Sequence, residues 1–374
     1  MNPGRRRWLI GQANLTGLTG LAGLAALAGA PPARASDDAV RRSRALRFPR
    51  DHGAHIGART AWWYATGWLG TAAAPALGFQ ITFFRSRTGL AEGNPSRFAP
   101  RQLLFAHAAV TDLAARRHVH DQRIVRWSGA ADADGGRADA HDGDVHIASW
   151  ALRREAEAWL AQLPAADFTL ALTLQPTQPL LLQGEAGFSR KGPQERQASH
   201  YYSQPQLAAR GRVTLGGAVH ALTGRAWLDH EWSDEILHPE AVGWDWIGIN
   251  LFDGSALTAF ALRRRDGSVL WAGGSFRAPG APVRSFAPQD THFTPGRRWR
   301  SPVSNASYPV QWQVRTPAGG FEVRALIDAQ ELDSRAGTGT VYWEGLSELL
   351  DAQGRRVGLG YLEMTGYAAP LRLG

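Results

Sequence analysis

The 374-residue chain contains no cysteine. Disulfides, thiolate nucleophiles, iron–sulfur clusters and thiolate zinc sites are thereby excluded, as is a lipoprotein anchor on an N-terminal cysteine. Lysine is almost as scarce. Lys191 is the only one among 41 basic residues, so Schiff-base chemistry would depend on one residue in the polar run FSRKGPQER, an unsuitable setting for it. Long apolar runs are missing too: nothing after the first 35 residues approaches the roughly 20 apolar residues of a spanning helix. No block of Lys or Arg is interleaved with stacking aromatics, which argues against a nucleic-acid partner. The formal charge of +8 adds little to that case. Arg5, Arg6, Arg7 and Arg34 lie in a stretch without acids, and the remaining 37 basic and 33 acidic residues leave +4.

That stretch, residues 1–35, reads as an export leader. Three arginines precede Trp8 and Leu9, a Gly/Ala/Leu run follows, and Ala33-Arg34-Ala35 is a small-x-small cleavage signature. The arrangement is twin-arginine-like, with an arginine-rich Sec signal as the alternative. Either predicts a soluble protein of the periplasm or the secreted fraction, with no transmembrane segment; association with a membrane surface stays open.

Short runs rich in Trp, Tyr, Phe, Val, Leu and Thr recur between Gly, Asp-Gly and Pro signals, the pattern of an all-β chain. Residues 60–70, 77–86 and 101–113 are expected to be strands of a first antiparallel sheet. Residues 144–176 continue it, with a helical alternative around Leu152 to Leu163. A hairpin is expected about Gly216-Gly217, and the Asp-Gly pairs at 253–254 and 266–267 predict a second meander. Two β-barrel domains follow, at 45–228 and 229–374, with one large β-sandwich as the alternative.

At the junction stands GRAWLDHEWSDEILHPEAVGWDW, Gly224 to Trp246. With strand periodicity Trp227, Asp229 and Glu231 share one face, while Leu228, His230 and Trp232 share the other. Trp244 and Trp246 oppose Asp245 in the same way. A carboxyl held against indole in a water-poor setting has its charged form disfavoured and can act as an acid near neutral pH. The structural alternative is that these acids tie strand ends and loop amides together around a tryptophan core. Further clusters occur at Asp51, His52 and His55, followed by Trp62, Trp63 and Tyr64; at His200, Tyr201 and Tyr202; at Tyr342, Trp343 and Glu344; and at Tyr361, Glu363 and Tyr367. His52 and His55 could hold a metal if His230 joined them, but no HExxH is present and no metal is expected. No G-x-S-x-G elbow supports a serine hydrolase.

The ordered segments FPRDHGAHIGARTAWWYATGWL, LLFAHAAVTD, HYYSQPQLAARGRVTLGG, GRAWLDHEWS, GWDWIGINLFDGSALTAFALRRRDG, YWEGL and GYLEMTGY resemble the exported lipocalin-like proteins grouped with carotenoid 1,2-hydratases, often labelled predicted secreted hydrolases. The resemblance implies two lipocalin-like (calycin) antiparallel β-barrel domains packed together. It further implies cofactor-free hydration of the terminal trisubstituted double bond of an acyclic carotenoid. By the match to an Asp-His-Asn-Trp-like motif, His230 and Trp232 fall at active-site positions, and Asp229 or Asp245 is the proton donor. The catalytic candidates are therefore Asp229, His230, Glu231 and Asp245. An apolar small molecule would be lined by Trp232, Trp244, Trp246, Trp63, Tyr64, His55, Tyr201 and Tyr202. Three positions depart from the pattern: Ala61 replaces a Glu, Ile56 replaces a Pro, and Glu231 replaces the hydratase-type Asn. The resemblance therefore implies a shared site rather than a shared substrate. A non-catalytic carrier of apolar ligands and a secreted hydrolase are the alternatives.

Overall fold

Period-two alternation of apolar residues is converted almost throughout into antiparallel ladders. The computed structural model describes residues 38–96, 98–130, 135–235 and 237–371, within the unit Ser36–Gly374. The leader expected at 1–35 lies outside these residues. Among the described residues there is no α-helix, only two 3-10 turns at Arg50–His52 and Pro288–Asp290, and no helix is long and apolar enough to cross a membrane.

The first sheet begins with β1 (Thr60–Gly70), β2 (Pro75–Arg87), β3 (Gln102–Asp112), β4 (Arg117–Trp127), β5 (Gly136–Ala138), β6 (Asp144–Ile147) and β7 (Trp150–Glu155). It continues with β8 (Ala158–Pro164), β9 (Phe168–Gln175), the short β10 (Leu181–Leu182) and β11 (Phe188–Arg190), and the long hairpin of β12 (Ala198–Leu215) and β13 (Ala218–Ser233). Its order is β4-β3-β2-β1-β13-β12-β9-β8-β7-β6-β5, and β4 and β5 at the two edges touch, so the sheet is nearly closed.

The second sheet contains β14 (Ala241–Leu251), β15 (Ala256–Arg264), β16 (Val269–Arg277), β17 (Arg284–Phe286) and β18 (His292–Pro295). After a separate ladder of β19 (Arg298–Arg300) and β20 (Ser307–Pro309) come β21 (Gln311–Thr316), β22 (Gly319–Ala325), β23 (Glu331–Ser334), β24 (Thr340–Leu350) and β25 (Arg356–Met364). The chain is thus two lipocalin-like antiparallel barrels packed together, not one sandwich. Gly216 and Gly217 have φ of 57° and 82°, the positive values that a tight two-residue hairpin needs. The helical alternative over 152–163 is not realised. Trp150 and Leu152, then Trp159, Ala161 and Leu163, turn inward at every second position of β7 and β8, and burying those indoles outweighs the helix propensity of the intervening Ala, Glu and Arg.

Three large apolar clusters result, beside a small one of Ala58, Ala61 and Trp232. One fills the first barrel, with Trp63, Trp127, Trp150, Trp159 and Leu228 among its members. A second fills the other barrel around Ile247, Trp343 and Leu362. The third lies between the barrels and takes the opposite faces of the same strands: Tyr64 and Trp68 of β1, Trp227 of β13, Trp246 of β14, Leu346 of β24, and Leu359 and Tyr361 of β25. Residues 226–233 and 245–251 are consequently buried on both faces. Gly78 permits the close approach, since a Cβ there would stand 2.8 Å from the Tyr361 hydroxyl and 3.1 Å from Leu346 Cβ.

Candidate active site

β13 delivers its residues alternately to two compartments. Asp229, 3 % exposed, points into the seam between the barrels and accepts three hydrogen bonds: from Trp227 Nε1 at 2.7 Å, Ser203 Oγ at 2.5 Å and the Tyr201 hydroxyl at 2.8 Å. The donors come from cross-strand geometry. Ser203 on β12 is the direct ladder partner of Asp229, and Tyr201 the partner of Glu231. Trp246 Nε1 of the second barrel reaches the Tyr201 hydroxyl at 3.3 Å. Burial pushes the Asp229 carboxyl up to about 7 against the pull of its three donors, with a smaller upward push from Glu231. A group poised there is part acid and part base at neutral pH.

Glu231, two residues on, has a different environment. It accepts a short hydrogen bond from Ser199 Oγ, and the Lys191 ammonium lies 3.0 Å away. In sequence Lys191 lies in the polar run FSRKGPQER, which does not suggest a buried cation. Yet its side chain is 7 % exposed and its ammonium sits over the Tyr201 ring at 4.6 Å and the Phe260 ring at 4.3 Å. The polar residues around it in sequence hide a cation that bridges the two barrels. Tyr64 completes this side of the site, edge-on to Trp246 at 5.4 Å, and Trp244 packs at the cluster's margin.

His230, Trp232, Trp63, His55 and Tyr202 are gathered elsewhere, on the first-barrel side of β13. His230 stacks on Trp63 at 4.7 Å, and His55 stacks on Trp232 at 3.5 Å. Both His230 nitrogens face backbone carbonyls, Nδ1 to Trp62 at 2.8 Å and Nε2 to Gly53 at 3.0 Å. Burial pushes this imidazole well below its ordinary value, and the two carbonyls pull the other way. His52 Nδ1 is engaged with the Tyr202 hydroxyl at 2.6 Å, and His55 Nδ1 with Asp38 at 3.2 Å. No group among the described residues is arranged to hold a metal ion.

Asp245 turns away from the seam, to the opposite face of β14 from Trp246. Its carboxyl lies 2.6 Å from Arg263 Nε, and the Tyr367 hydroxyl donates to it at 2.9 Å. The Arg263 contact is close but poorly aligned, leaving neither atom a well-formed hydrogen bond. Burial pushes Asp245 up to about 6 while Arg263 draws it down. The two candidate acids thus belong to different surroundings. Open clefts of about 430 Å³ near Arg87 and Arg101, and about 470 Å³ near Gly70 and Leu222, include none of these groups.

Residues 39–367 match the model of the AttH-like family. The chain belongs to the AttH-like family. This AttH-like chain is 46 % identical to a candidate AttH of Nitrosomonas europaea, with 88 % of its length and 99 % of that chain covered and a TM-score of 0.80. Kievitone hydratase from Nectria haematococca is similar at a TM-score of 0.65 over 87 % of this chain and 94 % of its own, with 14 % identity. CghA is similar at a TM-score of 0.51 over 84 % and 89 %, with 12 % identity. At such identities the last two likenesses are of fold. No curated protein matches the AttH-like sequence.

Proposed function

We propose that the chain is a hydratase-like enzyme that adds water, by acid catalysis and without a cofactor, to an apolar isoprenoid-type alkene held in the seam between the barrels. Asp229 carries this reading: a buried carboxyl among indole and phenol rings, with three hydrogen-bond donors ready to receive the charge it acquires on losing its proton. Kievitone hydratase, by its name a water-adding enzyme, shares the fold. Asp229 transfers its proton to one alkene carbon, forming a C–H bond and leaving positive charge on the more substituted carbon. Water adds there, and the proton it sheds restores the acid. Ring faces of Trp246 and Tyr64 stabilise the cation by roughly 0.5 to 2 kcal/mol, about one order of magnitude in rate. Positioning of the acid and the water must supply the rest. Asp229 is preferred to Asp245 because Asp245 is already engaged by Arg263 on the other face. We further propose that residues 1–35 export the protein, so that it acts in the periplasm or outside the cell.

The test is incubation of the purified protein with a panel of acyclic isoprenoid alkenes in D2O, followed by mass spectrometry. Turnover should add one water and one carbon-bound deuterium, and Asp229→Asn should abolish it while leaving the fold intact. Full activity in Asp229→Asn would remove Asp229 from the reaction.

A further inference from the structure

Beyond the Asp229 cluster, the seam holds a second polar group that the reaction above leaves unused. Glu344 on β24 and Glu363 on β25 stand directly opposite each other in their ladder, and Glu363 is also the ladder partner of Trp246 on β14. Directly opposed residues share a face. Both carboxyls therefore lie on the face that carries Leu346, Leu359 and Tyr361 into the seam. The Tyr64 hydroxyl, from the first barrel, donates to Glu344 at 2.6 Å. Among the described residues no arginine or lysine forms an ion pair with either carboxyl; the nearby cations are taken, Lys191 by Glu231 and Arg263 by Asp245. Two like charges opposed in a ladder without a counter-ion cannot both persist. The pair therefore keeps at least one proton: burial and the facing Glu363 push Glu344 well up, and burial with Asp229, Glu231 and Asp245 pushes Glu363 up to about 8, while a cation placed between them would favour the charged form.

A separate observation points to a ligand at this place. On the seam face of the first barrel, next to Tyr64, two oxygens have no hydrogen-bond partner: Thr66 Oγ1 and Gln80 Oε1. Thr66 and Gln80 are ladder partners, 1 % and 0 % exposed, and the Gln80 side chain also hydrogen-bonds Tyr342, two residues before Glu344 on the same face. Buried oxygens without partners are rare in native proteins, and both can accept a hydrogen bond. Glu344 is 2 % exposed, whereas Glu363 keeps some surface in reach of solvent. The group is therefore approached from the Glu363 side, past Trp244.

We propose that the seam selects amphiphilic ligands whose anchoring or reacting centre is cationic, with that centre held between the Glu344–Glu363 pair, the Thr66 and Gln80 oxygens and the rings of Tyr64 and Trp246, and an apolar tail lying along the seam. Resting on the reading of the seam as the reaction site, it names the ligand class: alkylammonium compounds bind there because they carry permanently the charge that a protonated alkene carries only briefly. Carboxylates, ring faces and hydrogen-bond acceptors all favour the same sign of charge.

The experiment compares three probes of equal tail length by tryptophan fluorescence and calorimetry, below their micellar concentrations at pH 7: N,N-dimethyldodecylamine, which is protonated, the neutral N,N-dimethyldodecanamide, and dodecanoate. The amine should bind about tenfold more tightly than either of the others, and Glu363→Gln and Glu344→Gln should each bring it level with the amide. Equal binding of the three probes, tighter binding of dodecanoate, or an amine preference that survives in both variants would overturn the assignment. Alkene hydration is scored separately. Hydration without amine preference overturns this inference and leaves the catalytic one standing, and amine preference without hydration does the reverse.

Discussion

Asp229→Asn should make the protein more stable as well as inactive. Placing this carboxyl in the seam moves it from an ordinary 3.8 to about 7. A carboxyl raised on folding binds its proton more tightly in the native state, so the stability it contributes is greatest below about pH 4 and is lost as the pH climbs towards 7. A shift of about 3 units corresponds to about 4 kcal/mol in full, of which about 2 to 3 kcal/mol is lost between pH 5 and pH 8. The amide is the neutral isostere. Its oxygen can keep the hydrogen bonds from Trp227 Nε1 and Ser203 Oγ, and its nitrogen can donate to the Tyr201 hydroxyl, which now meets Oδ2. Urea denaturation of wild type and variant at pH 5 and pH 8 measures the difference directly. The variant should gain on wild type by about 2 to 3 kcal/mol over that interval, while all other ionisations form a common background. Parallel stability curves would show that Asp229 is ionised throughout, and the reasoning that makes it an acid would fail with them.

Asp245→Asn should behave in the opposite sense, because it strands the buried Arg263 guanidinium. A loss of about 3 to 5 kcal/mol is expected in the same urea assay, with hydration per folded molecule retained. Lys191, the only lysine, should resist amine acylation in the native protein and react once urea separates the barrels, as peptide mass mapping would show. Gly78→Ala would press a methyl group against the Tyr361 hydroxyl and Leu346. It should lower stability by about 1 to 3 kcal/mol, read as an earlier denaturation midpoint.

Much of the fold was legible in the sequence because it is written locally. The strand expected at 60–70 is β1, Thr60–Gly70, and the glycine and Asp-Gly turns join the strands expected to flank them. Alternation also separates Asp229 and Glu231 from His230 and Trp232 without knowledge of any partner. What could not be read is set by contacts between distant segments. Nothing near Lys191 in sequence signals that its ammonium will lie between Tyr201 and Phe260. The clusters containing Glu344 and Glu363 were visible, but their pairing depends on the register of β24 with β25. The apparent helix at 152–163 arose because Ala, Glu and Arg favour helices locally, whereas the indoles that decide the matter are buried by the closing of the barrel.

The alternation of β13 places neighbouring residues in different worlds, Asp229 in the seam and His230 against the stacked rings of the first barrel. A single inserted or deleted residue between Ala226 and Ser233 would exchange them, sending an imidazole into the seam and a carboxyl into a hydrocarbon interior. This strand can therefore diversify by substitution while its length stays locked. Changes of length are left to the exposed hairpin tip at Gly216-Gly217, where added residues move nothing in the seam.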